Sequence, residues 1–191
     1  MEMVTVTTRG ERLELRPFTF ADVTDYYELV ANTAIAAPAG FTPAHSVTEA
    51  GFLLKQQLKL PEVYALELPA LHKVVGSVGL YERMNRYGEP APQQMDLGYM
   101  LNASFWQRGI MSAAVRLLQR YAFETLKLKR VTASCLADNV ASKLILEHAG
   151  FRQYDAVQHP DYAPFGAGQT ELFYECVGLA TTPGDDQNAT R

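Results

Sequence analysis

The stretch Tyr99–Ser112, YMLNASFWQRGIMS, decides how the rest of the chain is read. It completes the apolar run MDLGYML (Met95–Leu101), which has the pattern of a strand, and it ends where a long helical periodicity begins. A strand therefore passes through a short loop straight into a helix. The first turn of any helix carries N–H groups without intrahelical partners, and the macrodipole adds roughly half a positive charge there. Phosphate oxygens satisfy both. Gly109 lets the main chain approach an anion closely, Gln107 and Arg108 add a polar and a cationic side chain, and Ser112 adds a hydroxyl in the first turn. The plainer alternative is a glycine that merely turns the chain beside a solvated arginine, since short glycine loops give many such matches.

Downstream, Ser112–Leu126 places Ala114, Leu117, Leu118, Tyr121 and Ala122 on one helical face, and RVTASCL (Arg130–Leu136) reads as a buried strand. A strand, a helix and a second strand in this order predict a parallel pair. Leu136–Ser142, LADNVAS, repeats the strand-to-helix junction and leads into a short helix over Val140–Ala149 closed by Gly150. FRQYDAV and TELFYECV supply two last strands. Upstream, VYALEL (Val63–Leu68) and VVGSVGL (Val74–Leu80) join Met95–Leu101 through turn-rich links holding Pro69, then Gly88, Pro90 and Pro92, which predicts an antiparallel meander. Before them come a strand, LELRPF (Leu13–Phe18), and two helix starts. Thr19 caps the first, with Asp22 near its open amides and a Phe18–Val23 staple; the second is the capping box Ser46-Val47-Thr48-Glu49, followed by Ala50, Leu53, Leu54 and Leu58. ANTAIAAPAGFTPAH between them reads as a loop. The expected order is β-α-α-β-β-β-α-β-α-β-β, an α+β sheet protein.

With 191 residues, 48% of them apolar and 20% charged, the chain suits one globular domain, expected over residues 1–177, with GLATTPGDDQNATR (178–191) as a flexible tail. Seventeen basic against twenty-one acidic residues leave a net charge of −4, too acidic for a broad nucleic-acid surface. Cys135 and Cys176 lie in apolar stretches without metal or redox spacing, no export signal opens the sequence, and no apolar run is long enough to span a bilayer. A cytoplasmic protein without a bound metal or a membrane partner is expected.

The junctions Leu97–Val115 (LGYMLNASFWQRGIMSAAV), Asn139-x-x-Ser142 and Glu147-x-x-Gly150-Phe151, together with an N-terminal LRPF leading to a helix near Asp22, resemble the GCN5-related N-acetyltransferases. Within them the resemblance is to the branch that acetylates protein N-termini, typified by enzymes acting on ribosomal proteins. It spans about Arg9 to Val177. It implies a mixed, mostly antiparallel twisted sheet flanked by helices, with acyl-CoA held between two splayed parallel central strands. It also implies acetyl-CoA as co-substrate, an amine as acceptor, and a monomer or homodimer. By the same resemblance Met100 and Leu101 present strand amides and carbonyls to the pantetheine arm, while Gln107, Arg108, Gly109, Ile110, Met111 and Ser112 cradle the pyrophosphate. Asn139 binds the pantetheine or orients its loop, and Ser142 sits near the thioester sulfur. The chain departs from the pattern at Gln107, where a second glycine is common, at Ala113, where many members have Glu, and at Leu146, where several carry a tyrosine that protonates the departing thiolate.

Acyl transfer to an amine needs a neutral nucleophile, a polarised carbonyl and a stabilised leaving group. His45, His72, His148 and His159 are scattered, and no nucleophile lies beside a base, so direct attack in a ternary complex is expected; His148 reads as a partner of its helix C-terminus. At pH 7 an α-amine of pKa near 8 is about one-tenth neutral, whereas a lysine amine is about 0.04% neutral, a handicap of about 3.5 kcal/mol. An α-amine is thus the easier acceptor. Asp96, on the central strand, is the first candidate to take the proton and Glu82 the second; either is alternatively a solvated or substrate-orienting charge. Ser142 acts on the leaving group or caps its helix. Acceptor recognition is expected from Asp22–Ala31, the loop through Phe41, and the loops at Arg83–Gln94 and His159–Gln169, the last holding Pro160, Tyr162, Pro164, Phe165, Gly166 and Gly168. A small-molecule amine is the alternative acceptor, and an acyl-CoA-binding domain without turnover the alternative function.

Overall fold

The computed structural model describes residues 4–8, 10–84, 87–164 and 166–178. Phe165 and all but the first residue of the expected tail lie outside them. Among the described residues eight strands form one sheet in the order β1-β2-β3-β4-β5-β6-β8-β7. These are β1 (Val4–Thr8), β2 (Glu11–Pro17), β3 (Val63–Leu68), β4 (Lys73–Met84), β5 (Pro90–Leu101), β6 (Arg130–Leu136), β7 (Arg152–Gln158) and β8 (Thr170–Val177). Five α-helices accompany them: α1 (Val23–Val30), α2 (Thr33–Ala39), α3 (Val47–Gln57), α4 (Ile110–Glu124) and α5 (Val140–His148). Every neighbouring pair is antiparallel except β5 and β6, which run parallel as the crossover through α4 requires. No helix among the described residues is long and apolar enough to cross a membrane.

Strand alternation sends side chains to two cores. Val78, Leu80, Leu97, Val131, Ala133, Cys135, Leu172 and Tyr174 join the buried stripe of α4, Leu146 of α5 and Phe151 on one face. On the other, Val63, Ala65 and Val74 pack with Tyr26, Leu29 and Val30 of α1, Ile35 of α2 and Ala50 and Leu54 of α3. At α3 the Ser46 hydroxyl accepts the Glu49 amide as the capping box predicts, but the Glu49 carboxylate accepts from the His45 N–H. Leu53 and Leu58, expected in the α3 core stripe, are exposed.

Three elements differ from the sequence reading. Strand β1 precedes β2 as an edge hairpin. The segment read as a loop before α3 contains α2: its alanines favour helix, the Asn32 side chain caps it by accepting the Ala34 amide at 2.9 Å, and Gly40 ends it in the left-handed region. The link expected over Arg83–Gln94 is largely a ladder, because β4 runs to Met84 and β5 begins at Pro90.

Side chains from the start of the first helix fasten this face to the sheet. Asp22 is buried and receives both Nη1 and Nη2 of Arg16 at 2.8 Å and the Thr19 amide at 2.7 Å. Burial pushes its carboxyl upward, but the Arg16 and Thr19 hydrogen bonds outweigh burial and hold it below the ordinary carboxylate range. Lys73 of β4 donates to Asp25 and Glu28 of α1, and Asn102, just after β5, donates to Glu28. Much of the polar side of α1, expected to meet an acceptor, is thereby committed to the sheet.

Candidate functional site

The two parallel strands part company early. Pairing joins Gln94, Met95 and Asp96 to Arg130, Val131 and Thr132, after which β5 continues to Leu101 and β6 to Leu136 without ladder partners in common. The result is a cleft between main chains. In an antiparallel ladder the residues that exchange both hydrogen bonds alternate. Asn102 N–H donates to the Val75 carbonyl, and Met100 stands opposite Ser77 in the same register, so the Met100 amide faces β4. Tyr99 and Leu101 are the residues whose peptide groups face the cleft. Of these the Leu101 carbonyl accepts from the Trp106 indole at 2.8 Å. The alternation thus divides the pair Met100 and Leu101 named from the sequence, and adds Tyr99.

The loop from β5 to α4 delivers the first turn of α4 to the mouth of this cleft. Asn32, Ser46 and Asn139 cap the N-termini of α2, α3 and α5, whereas α4 has no side-chain cap and begins from Gly109 in the left-handed region at φ 76°. Ile110 and Met111 bury their side chains in the core and offer only main-chain amides; Ser112 is half-buried. Arg108 is exposed, stacks on the Phe105 ring at 5.0 Å, and lies 3.6 Å from Glu11 of β2, so its position over the loop is held from both sides.

Gln107 explains why glycine is common at its position: its φ is 60°, a conformation costing a side-chain-bearing residue about 1 kcal/mol. Gln107→Gly is expected to raise stability by up to about 1 kcal/mol in urea denaturation. A loss of that size would show that contacts of the Gln107 side chain outweigh the strain.

Across the cleft, the Asn139 side-chain Oδ1 caps α5 by accepting the Ser142 amide at 3.1 Å. The cap is therefore Asn139, and the Ser142 hydroxyl does not fill that role. Tyr99 reaches over from β5 and its hydroxyl donates to the Ser142 carbonyl at 3.4 Å, spanning the two walls. Burial pushes the Tyr99 hydroxyl up to about 12 and the Cys135 thiol up to about 11, so both stay protonated at neutral pH. Leu146 is fully buried in the core.

The opposite face of β5 and β6 carries the polar groups. Asp96 accepts from Arg83 of β4 at 2.8 Å and from the Thr132 hydroxyl of β6, which Arg83 also reaches at 2.6 Å. The first acid named from the sequence is thus clasped by its neighbours. Glu82 follows Leu80 in alternation and lies on the α4 face of the sheet, away from Asp96. Beyond Asp96, Arg130 pairs with Glu175 at 2.6 Å and stacks on Tyr154 at 5.0 Å. Farther along the same face, His159 Nε2 lies 2.9 Å from Glu171 Oε2. The sequence counts His159 among scattered histidines and at the start of a loop expected to meet the acceptor, but does not name its partner. The signal was present in the hairpin: Val157 stands opposite Glu171, so a residue two further along is its diagonal neighbour.

The comparisons with known proteins agree with this architecture. A family model described as an acetyltransferase (GNAT) domain matches residues 12–152. The probable N-acetyltransferase YjcK of Bacillus subtilis (strain 168) is 37% identical over 81 residues, which is 42% of this chain and 42% of that protein. The chain is thus matched over less than half the length of that relative. Among solved structures, the ribosomal-protein-S5-alanine acetyltransferase of Vibrio fischeri superposes with a TM-score of 0.75 at 19% identity, covering 94% of this chain and 100% of the other. The spermidine N-acetyltransferase of Vibrio cholerae, in complex with CoA and spermine, superposes with a TM-score of 0.72 at 17% identity, covering 86% and 95%. At such identities the superpositions establish the fold.

Proposed function

The chain belongs to the GNAT acetyltransferase family, and from that premise we propose that it transfers an acetyl group from acetyl-CoA to the α-amine of a protein or peptide N-terminus. The observation that carries this reading is the pairing of an uncapped helix start at Gly109 with the cleft between β5 and β6. The amides of Ile110, Met111 and Ser112, with Gln107 and Arg108, would take the diphosphate. The peptide groups of Tyr99 and Leu101 would meet the pantetheine arm as an added strand does, between walls spanned by Tyr99 and Ser142. The α4 face of the sheet is packed, so the acceptor approaches from the face bearing Asp96, Thr132 and α2, which touches both β5 and β6.

An α-amine is the acceptor of choice because it enters more nearly neutral than a lysine by about 3.5 kcal/mol. The fold shared with the Vibrio cholerae spermidine enzyme favours a polyamine as the second reading. The test is thiol release from acetyl-CoA with a panel of peptides with free or blocked N-termini, lysine-bearing peptides and spermidine. Release with free N-termini, abolished by blocking them, is the expected result. Release with spermidine alone transfers the assignment to small amines, and CoA binding without release across the panel leaves a binding domain.

A further inference from the structure

On the acceptor face, two carboxylates, one on β5 and one on β8, have arginines as partners. Asp96 is held by Arg83, and Glu175, on the same face, by Arg130. A guanidinium stays charged and donates only, so each of these carboxylates keeps a fixed cation beside it. The pair of Glu171 with His159 differs in kind: its nitrogen partner is an imidazole, which in its neutral form can accept a proton.

Register places this pair on the acceptor face. Thr132 bonds Asp96 and stands opposite Glu175, and two-residue alternation carries that face from Thr132 through Ser134 to Leu136, which stands opposite Glu171. Glu171 therefore shares a face with Asp96, at the end of β6 where the cleft is open. His159 reaches the same place from the β7–β8 loop, its amide bonded to the Gln169 carbonyl. Gly166 packs against Leu136 and His159: a Cβ there would lie 2.8 Å from Leu136 Cδ2 and 3.5 Å from the His159 ring. The pair is only partly exposed, 20% for His159 and 15% for Glu171, so its attraction is weakly screened. Its charged or titratable surroundings are Glu171 from β8, Asp161 within the loop, beside Gly168, and the Cys135 thiol of β6, on which Glu171 acts electrostatically.

Resting on the acetyltransferase reading, we infer that His159, held by Glu171, is the proton acceptor for the incoming amine. The ammonium N–H bond breaks and its proton passes to the imidazole, which becomes the cation partner of the Glu171 carboxylate. The freed nitrogen lone pair forms the bond to the acetyl carbonyl carbon, the carbon–sulfur bond breaks with its electron pair leaving on the CoA sulfur, and the nitrogen, made cationic by the attack, sheds its second proton to solvent to give the neutral amide. The ring proton then returns to solvent or to the thiolate.

The test uses the full chain, acetyl-CoA and an accepted free-N-terminus peptide, with kcat/KM measured at pH 7 and pH 9.5. His159→Gln is expected to lose about 100-fold at pH 7 and under about fivefold at pH 9.5, where the amine is already neutral. Glu171→Gln, which keeps a hydrogen bond but removes the charge, is expected to show a smaller loss with the same recovery. It also supplies the answer should His159→Gln fail to fold. Both variants are expected to bind CoA as the parent does. A loss of equal size at the two pH values, or none, overturns the inference and reduces the pair to a loop fastener. If the parent protein releases no thiol with any amine, the acetyltransferase reading itself falls; a working parent matched by both variants sinks only the role of His159.

Discussion

Gly109→Asp is expected to weaken CoA binding by about 100-fold while the fold survives, for reasons that separate charge from conformation. At φ 76° the residue occupies the left-handed region, which most side chains enter at a cost, but aspartate and asparagine tolerate it through local hydrogen bonding. The substitution therefore adds a negative charge at the mouth of the α4 first turn, with a backbone strain that the neutral asparagine shares. Gly109→Asn is the matched control, equal in shape and neutral, and is expected to bind CoA within about fivefold of the parent. Calorimetric titration with CoA reads both. Equal losses for Asp and Asn would mean that the junction is sensitive to bulk rather than charge, and the diphosphate would have to be sought elsewhere.

Asp22→Ala is expected to destabilise the protein by about 3 kcal/mol at pH 7, because it strands the Arg16 guanidinium in a partly buried site and leaves the Thr19 amide without its acceptor. The pH dependence follows from the direction of the shift. The Asp22 carboxyl is held below its ordinary value in the folded state, so its contribution is complete above the ordinary carboxylate range. It is lost as pH falls through that range to the depressed folded value. Urea denaturation of parent and variant should therefore show a gap that is constant near neutrality and closes in acid. A gap below about 1 kcal/mol at pH 7 would show that Glu67 alone suffices to hold Arg16. Because Asp22 stands immediately before α1, its loss is also expected to loosen the wall formed by α1 and α2 beside the acceptor face.

Elements whose signals are local were legible from composition and spacing. The boundaries of β3, β6 and β8 coincide with the apolar runs that predicted them, and α4 follows its periodicity to within two residues. The parallel step from β5 to β6 followed from a strand, helix and strand in sequence. Where local cues compete, reading failed: Pro38 and Gly40 spoke for a loop, yet an Asn32 cap and an alanine run were enough for about two turns of helix, packed through Ile35. Strand β1 alternates valine and threonine and turns into β2 at Gly10 in the left-handed region, a local signal that the sequence reading passed over.

From the chain alone came the two strand-to-helix junctions and the open amides at Gly109, because helix termini and glycine conformations are properties of a few consecutive residues. Which peptide groups face the cleft, and which partner each carboxylate meets, was decided only by tertiary structure. Arg83, Asp96 and Thr132 come from three strands, and His159 meets Glu171 across a hairpin. Such encounters depend on register, and register is set by the burial of whole sheet faces rather than by any residue and its neighbours in sequence.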